Sequence, residues 1–231
     1  MIIDFSKKKY ALIVAGGIGK RMESEIPKQF LILNGKPVLM HTLEKFNKIK
    51  DLEIILALPY PNFDYWKTLC EQFSFSANYT LVEGGETRFH SVRNGLDKID
   101  ADSFVAIHDG VRPIVSEAII KNSFEIAAQK GNAVSAVKVK DSIREMTLSG
   151  YTKNVSRKNF FLIQTPQTFQ SSIIKEAYQK ATHYNFTDDA GVAEEVLGTK
   201  INIIEGDYRN IKITTPEDLI IASAFLHPKM D

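Results

Sequence analysis

The sequence predicts an α/β fold in which a mostly parallel sheet is covered by helices on both faces. Two observations carry this prediction: short apolar runs recur along the chain, and stretches with helical spacing of apolar residues separate them. Short, β-branched apolar runs are typical of strands that are buried on both faces, as in parallel sheets. Alternation of such strands with helices favours a sheet between two helical layers.

The predicted strands are short and rich in β-branched residues. The first, YALIVA at 10–15, ends in a glycine-rich turn. The others are EIILALP at 53–59, FVAIHD at 104–109, NAVSAVKV at 132–139, INIIEG at 201–206 and IKIT at 211–214.

Helices are predicted where apolar residues recur at intervals of three and four, several of them after Ser, Thr or Asp. Pro37 can occupy a first turn, with Val38, Leu39, Leu43 and Phe46 along one face. The remaining helices are predicted at 91–99, 116–129, 171–181, 188–197 and 216–225.

Residues 140–165 interrupt this alternation of strands and helices. Polar and apolar residues alternate there around Ser149-Gly150, which is typical of a β-hairpin. We expect a single domain over 1–231 in which residues 139–166 protrude as a β-arm for dimerisation. The alternative is an antiparallel extension that lies on the chain's own sheet.

The composition excludes several classes of protein. Hydrophobic residues at 44% and charged residues at 25% are near the averages for globular proteins, so a disordered or fibrous chain is not expected. A net charge of +1 provides no overall field for nucleic acid or membrane, so any positive site must be local. Cys70 is the single cysteine, and no stretch reaches the roughly 18 apolar residues of a membrane span. We expect a cytoplasmic protein that binds neither nucleic acid nor membrane.

The first strand leads into the stretch VAGGIGKRM, whose glycines are Gly16, Gly17 and Gly19. Backbone without side chains can approach a ligand closely and direct its N–H groups at phosphate oxygens. Tight packing is the alternative use of such glycines. The Walker spacing fails because Arg21 stands where Ser or Thr is required, and the dinucleotide fingerprint fails because Met22 replaces its third glycine.

Cations surround this turn. Arg21 and Lys28 lie within a short distance of the glycines in sequence. A guanidinium can bind two phosphate oxygens at once, and a lysine acts as a point charge. This combination suits a triphosphate better than a nicotinamide dinucleotide, whereas Lys20 taken alone is better explained as a solvated surface charge.

Further polar clusters follow predicted strands, and ligands of parallel α/β sheets lie beyond the carboxyl ends of the strands. Gly85 and Glu86 precede a predicted helix start at Ser91, where backbone groups can read a base edge. Asp109 ends a predicted strand, with Arg112 one turn beyond. Such a carboxylate is a natural Mg²⁺ ligand, or else it caps a turn and pairs with the arginine.

Two residues in these clusters have less specific patterns. Lys212 lies in an apolar run, where an inward-facing ammonium needs an anion, although a lysine on an edge strand can face water. His108 is not assigned to catalysis, because no serine, cysteine or second histidine stands in a triad pattern with it.

Six blocks occur in order along nearly the whole chain: AGGIGKRM...PKQF, GGETRFHSVRNGL, HDGVRP, SRKNFFLIQTPQTF, FTDDAGVAE and NIKITTPEDL. The chain thereby resembles the 2-C-methyl-D-erythritol 4-phosphate cytidylyltransferases of the non-mevalonate isoprenoid pathway. The ribitol-5-phosphate cytidylyltransferases are the nearest alternative, but FTDDAG and SRKNF look more like the erythritol enzymes. Gly110-Val111 departs from the two alanines that are frequent in the erythritol enzymes. Arg209 stands where some relatives carry an aspartate proposed as a second metal ligand.

The resemblance implies a Rossmann-like nucleotidyltransferase fold and a homodimer whose arm hairpin reaches into the partner's active site. It also implies transfer of a cytidylyl group from CTP to a polyol phosphate, 2-C-methyl-D-erythritol 4-phosphate, with Mg²⁺ or another divalent cation as cofactor. A catalytically inactive nucleotide-binding module is disfavoured, because a pure binder would not need to retain Arg21, Lys28, Asp109 and Lys212 together.

The resemblance assigns roles to particular residues. The implied catalytic residues are Arg21, Lys28 and Lys212. Those implied around the nucleotide are Ala15, Gly16, Gly17, Gly19, Gly85, Glu86 and Ser91. Those implied around the acceptor are Asp109, Arg112, Arg157, Thr165 and Thr187, with Asp109 also as metal ligand and with Arg157 and Thr165, both on the arm, supplied across the dimer.

Overall fold

A computed structural model describes residues 7–17, 22 and 25–226 of the chain, and strands run through most of this length. In chain order the strands are β1 (Lys9–Val14), β2 (Ile32–Leu33), β3 (Lys36–Pro37), β4 (Leu52–Leu58), β5 (Thr80–Glu83), β6 (Phe104–Asp109), β7 (Asn132–Lys138), β8 (Ile143–Met146), β9 (Thr152–Val155), β10 (Phe161–Gln170) and β11 (Ile203–Glu205). Seven of these described strands form one sheet in the order β11-β7-β10-β6-β1-β4-β5.

The main sheet is mostly parallel, as predicted. Within the described part of the chain, only β10 runs antiparallel to its neighbours, between β6 and β7. Val14 at the end of β1 pairs with both Ala57 and Asp109, so β1, β4 and β6 end at the same edge of the sheet. Because β10 has the opposite direction, its first half lies at that edge too.

Helices cover both faces of this sheet, which confirms the predicted layers. They are α1 (Val38–Asn47), α2 (Phe63–Gln72), α3 (Arg88–Leu96), α4 (Glu117–Lys130), α5 (Ser171–Lys180), α6 (Asp189–Leu197) and α7 (Pro216–Leu226). In β1, Ala11 and Ile13 pack towards α1, α2 and α4, whereas Leu12 and Val14 pack towards α3, α5 and α6. Both faces of the strand are therefore buried, and this is why its sequence is continuously apolar.

Most helix starts agree with the predicted caps. Ser116 accepts a hydrogen bond from the Ile119 N–H at the start of α4, and Asp188 does so from Gly191 at the start of α6. The prediction that a helix begins at Ser91 is wrong, since α3 begins at Arg88 and is capped by Thr87. Within the described residues, no helix combines the length and the apolar character that crossing a bilayer requires.

The hairpin is present but is shorter than the predicted arm. Its strands β8 and β9 pair antiparallel, and Gly150 adopts a φ of 82° in the connecting turn, as expected for glycine there. The boundaries 139–166 are too wide at the C-terminal end, because Phe161 pairs with Lys138 and residues 161–166 belong to β10. Residues 143–155 thus form a separate hairpin, while residues 161–170 belong to the chain's own sheet.

The prediction of a strand at IKIT, residues 211–214, is wrong. Residues 211–214, all of which the structure describes, form no strand and instead belong to an irregular segment at 206–215, called here the strap. Ile213 is fully buried with Val38 and Val111, and its N–H donates to the Val111 carbonyl at 2.9 Å. The apolar side chain thus anchors a loop across the carboxyl edge of β6.

Candidate active site

The glycine loop leaves β1 at the carboxyl edge of the sheet. A Cβ added to Gly16 would lie 3.3 Å from Ser91 Oγ, and one added to Gly17 would lie 3.3 Å from Lys28 Cε. Both distances are tighter than ordinary van der Waals contact, so the backbone passes closely over these two side chains. Close packing and close approach to a ligand therefore both favour glycine here.

A second glycine loop precedes α3. A Cβ on Gly85 would lie 2.3 Å from His90 Cβ, which leaves no room for a side chain. The Gly85 N–H donates to Ser91 Oγ at 3.0 Å, and the Ser91 hydroxyl donates to the Thr87 carbonyl at 3.0 Å. Ser91 therefore shapes this loop from inside the helix rather than capping it.

Asp109 lies at the centre of a cluster of cations. Its Oδ1 is 3.3 Å from Arg88 Nε, and its Oδ2 is 3.3 Å from Arg112 Nε and 3.0 Å from Lys212 Nζ. Burial alone would raise the pKa of this carboxyl, but the charges of Arg88, Lys212 and Arg112 hold the pKa well below its ordinary value. Asp109 is therefore ionised. Its carboxylate is the anion that an inward-facing Lys212 was expected to need.

Arg88 has a second carboxylate partner. Its Nη1 and Nη2 donate to the two oxygens of Asp189 at 2.8 and 2.7 Å, and the Tyr178 hydroxyl donates to Asp189 at 2.6 Å. Burial disfavours the charge on Arg88, but Asp189 and Asp109 outweigh it and raise the pKa well above its ordinary value. Arg88 is a permanent cation that joins α3 to α6 beside Asp109.

The strap contacts or contains three cationic groups of the site. Lys28 Nζ donates to the Ile213 carbonyl at 3.1 Å, and Arg112 Nη1 donates to the Asn210 carbonyl at 2.8 Å. Lys212 belongs to the strap itself. The carbonyl oxygens of the strap thus orient the side chains of Lys28 and Arg112 at this edge of the sheet.

Two adjoining cavities open at this edge of the sheet. The larger, of about 380 Å³, is lined by Val14, Ala15, Gly16, Gly17, Lys28, Gln29, Glu86, Thr87, Arg88, Ser91, Asp109, Val111 and Lys212. The smaller, of about 220 Å³, is lined by Arg88, Asp109, Arg112, Ile163, Gln164, Thr165, Gln167, Thr187, Asp188 and Lys212. Three charged residues, Arg88, Asp109 and Lys212, border both cavities.

The Asp109 carboxylate contacts three cationic side chains, Arg88, Arg112 and Lys212, so a divalent cation could be held by this carboxylate only jointly with phosphate oxygens. Among the described residues there is no cluster of three or more His, Cys, Asp or Glu side chains, so an all-protein metal cage is excluded for that part of the chain. Mg²⁺ commonly uses one or two carboxylates together with substrate phosphates. Among the described residues, the Asp109 carboxylate borders both cavities, whereas Asp207 lines neither of them and pairs with Arg209 at 2.8 Å.

A family model described as 2-C-methyl-D-erythritol 4-phosphate cytidylyltransferase matches residues 10–228. The chain belongs to this family. Within the family, the protein of this name from Bacteroides thetaiotaomicron is 48% identical over 220 residues, which cover 95% of this chain and 100% of that protein. The one from Clostridium perfringens is 42% identical over 224 residues, covering 95% and 99% respectively.

Solved structures of this cytidylyltransferase family have the same fold. The 4-diphosphocytidyl-2C-methyl-D-erythritol synthase from Anaerococcus prevotii superposes with a TM-score of 0.84 at 32% identity, covering 98% of this chain and 99% of that chain. The 2-C-methyl-D-erythritol 4-phosphate cytidylyltransferase from Francisella tularensis has a TM-score of 0.77 at 33% identity, covering 95% and 100%. These comparisons support the erythritol branch that the sequence blocks favour.

The structure brings most of the implied site residues of this family member together. Those that border the cavities are Ala15, Gly16, Gly17, Lys28, Glu86, Ser91, Asp109, Arg112, Thr165, Thr187 and Lys212. Gly85 lies directly beside Ser91. The expectation that Thr165 lies on the arm is wrong, because this residue is buried in β10, contacts His108 and borders the smaller cavity of its own chain. Gly19 and Arg21 lie outside the described residues, so their roles stay predictions. Arg157 is exposed on a short 3-10 helix, donates to the Lys140 carbonyl and is not among the described residues that line either cavity.

Sequence reasoning missed Arg88 and Asp189. A cation in the first turn of a helix is opposed by the helix dipole and favours a carboxylate nearby, but the helix start predicted at Ser91 left Arg88 outside the helix. Asp189 had no comparable signal, since its neighbour Asp188 explains a helix cap equally well. The partnership of these two residues depends on contacts between α3, α5 and α6.

Proposed function

We propose that this chain transfers the cytidylyl group of CTP to 2-C-methyl-D-erythritol 4-phosphate, forming 4-diphosphocytidyl-2-C-methyl-D-erythritol and pyrophosphate. The observation that carries this proposal is the pair of adjoining cavities that share Arg88, Asp109 and Lys212. The larger cavity, with its glycine loop, suits a nucleotide triphosphate. The smaller one, with Arg112 and polar side chains, suits a polyol phosphate.

The chemistry requires charge neutralisation more than acid–base catalysis. A phosphate oxygen of the acceptor attacks the α-phosphorus of CTP, a new P–O bond forms, and the bond to the departing pyrophosphate breaks. The nucleophile is already an anion at neutral pH, so no side chain has to remove a proton. The barrier comes from bringing two polyanions together and from the charge on the leaving group.

The cations of the site are placed for this task. We assign Lys28 and Lys212 to the phosphates of CTP and its transition state, together with N–H groups of Gly16 and Gly17. Lys212 borders both cavities, and we propose that the acceptor phosphate meets the α-phosphate beside it. In a partly desolvated cleft each such charge counts for more than it does in water. Arg21 is predicted to join them.

The two cavities are proposed to bind different substrates, the larger one CTP and the smaller one the acceptor. Gly85, Glu86 and Ser91 are proposed to surround cytosine and ribose, and Arg112 and Thr187 to bind the acceptor. Asp109 would hold a divalent cation with the phosphate oxygens, and that cation when bound supplies further neutralisation of phosphate charge. The cytoplasmic location stays a prediction from the sequence.

We further propose a homodimer that forms through the hairpin. Large apolar side chains on this arm face solvent, with exposures of 67% for Met146, 111% for Leu148 and 79% for Tyr151. At the start of β10, Phe161 and Leu162 are 42% and 55% exposed. Grouped exposed apolar residues of this kind are typical of a protein–protein interface. Such a dimer allows Arg157 to serve the partner's active site.

Mixing two inactive variants tests this arrangement. Co-expression of Arg157→Ala with Lys28→Ala should restore about one quarter of wild-type activity, because half of the dimers would contain one intact site under random two-fold pairing. As a control, Lys28→Ala mixed with Lys212→Ala should show no recovery, since both residues belong to the same subunit's core. Equal activity in the two mixtures would exclude a site shared across the dimer.

The function itself is tested by pyrophosphate release. We expect release with CTP and 2-C-methyl-D-erythritol 4-phosphate, and much slower release with ATP, GTP or UTP. Ribitol 5-phosphate, run in parallel, should be a poor acceptor. Preference for ribitol phosphate would assign the chain to the alternative reaction, and CTP binding without release from either acceptor would indicate an inactive nucleotide-binding module.

A further inference from the structure

His108 occupies an unusual place for a residue without a catalytic role. It belongs to β6 directly before Asp109, is fully buried, and packs its ring against Phe46 with centroids 4.8 Å apart. Within the described part of the chain it borders neither cavity. Burial lowers its pKa to about 3, so the imidazole is neutral.

Hydrogen bonds connect both nitrogens of this ring to the turn that carries Asp109 and Arg112. The Asp109 N–H donates to Thr165 Oγ1 at 3.1 Å, and Oγ1 lies 3.0 Å from His108 Nδ1. His108 Nε2 lies 3.2 Å from the Arg112 carbonyl oxygen. A carbonyl can only accept, so Nε2 carries the proton of the neutral ring, Nδ1 accepts, and the Thr165 hydroxyl donates to Nδ1.

From this geometry we infer that His108 is a positioning residue that sets the turn from Asp109 to Arg112 for the acceptor phosphate. The inference rests on the proposed function, which it deepens. One ring edge fixes the start of the turn through Thr165, and the other fixes its end through the Arg112 carbonyl. A small displacement of reacting groups is enough to slow a transfer reaction strongly.

The rest of the network lies mainly on the acceptor side. Arg112 Nη1 and the Thr165 carbonyl are both held by Asn210, through its backbone oxygen at 2.8 Å and its Nδ2 at 2.9 Å. Arg112 and Thr165 border the smaller cavity and not the larger one, as far as the described residues define them. Asp109 and Val111 of the same turn also border the larger cavity, so loss of the imidazole should disturb the acceptor site more than the nucleotide site.

The test replaces the ring with an apolar one. His108→Phe keeps an aromatic ring beside Phe46 but removes both hydrogen bonds, so kcat/KM for 2-C-methyl-D-erythritol 4-phosphate should fall about tenfold to a hundredfold. The Kd for CTP, measured by calorimetry, should stay within about twofold. His108→Gln, whose amide can donate to the Arg112 carbonyl, should lie between the wild type and His108→Phe.

A core variant separates positioning from simple loss of stability. Phe46→Leu weakens the packing around His108 but leaves its hydrogen bonds, so it should lower the melting temperature without changing the acceptor KM. Equal acceptor constants for wild type and His108→Phe, or an equal loss in Phe46→Leu, would overturn the inference alone. A wild-type chain with no turnover would contradict the proposed function as well.

Discussion

Replacing Lys212 with alanine is expected to lower kcat by about a hundredfold or more, the loss that is typical when one preorganised donor to a developing oxyanion is removed. KM for CTP should rise less, because this ammonium acts at the boundary between the two substrates. Loss of an interaction that is stronger in the transition state than in the ground state lowers kcat more than it raises KM. Steady-state kinetics with both substrates measure the two constants.

The expectation for Lys212 follows from its surroundings. Its ammonium lies 3.0 Å from Asp109 and its side chain is 39% exposed, so an anion can reach it. The strap holds its backbone, since the neighbouring Ile213 N–H bonds to Val111. Lys130→Ala, an exposed lysine at the end of α4, is the matched control and should leave kcat unchanged. An unchanged kcat in Lys212→Ala would remove this residue from the transition state.

Replacing Asp109 with asparagine is expected to abolish most activity yet strengthen the binding of pyrophosphate in the absence of metal. The three cations Arg88, Arg112 and Lys212 would lose their shared counterion. The free energy of unfolding should fall by about 3 kcal/mol, because removing one partner leaves buried charge unpaired. Pyrophosphate would then meet a more positive site and should bind at least about tenfold more tightly.

Two measurements check the Asp109 prediction. Chemical denaturation gives the change in the free energy of unfolding, and calorimetry in the presence of a chelator gives the affinity for pyrophosphate. Asp207→Asn is the matched control, since Asp207 pairs only with the exposed Arg209 among the described cations and should change stability by less than about 1 kcal/mol. Weaker pyrophosphate binding in Asp109→Asn would show that the three cations do not converge on the phosphate site.

The sheet was largely predictable because strands that are buried in a parallel sheet have continuous apolar sequences, as in YALIVA and FVAIHD. β10 was harder to predict for a physical reason. It contains Pro166, and proline is typically excluded from central strands because it cannot donate to the ladder. In the structure Pro166 lies where the pairing of β10 with β7 shifts register, between Ile163 and Gln167. This irregularity in the pairing accommodates Pro166, whose presence in the sequence disfavours a central strand.

The site was predictable where a residue's own strand or loop places it, and less so where distant elements meet. Asp109 and Gly16 follow from strand ends, and the need of Lys212 for an anion follows from its apolar neighbours. The pairing of Arg88 with Asp189 joins residues 101 positions apart, so no local pattern encodes it. The hydrogen bond from Asp109 to Thr165 likewise depends on the antiparallel direction of β10.

The most direct test of charge neutralisation at this edge of the sheet is a crystal structure with CTP and a divalent cation bound. We predict the triphosphate between the Gly16–Gly17 backbone and the ammonium groups of Lys28 and Lys212, with the base beside Gly85 and Ser91. The α-phosphate should face the smaller cavity. A triphosphate that points away from the glycine loop, with Lys212 in solvent, would contradict the account.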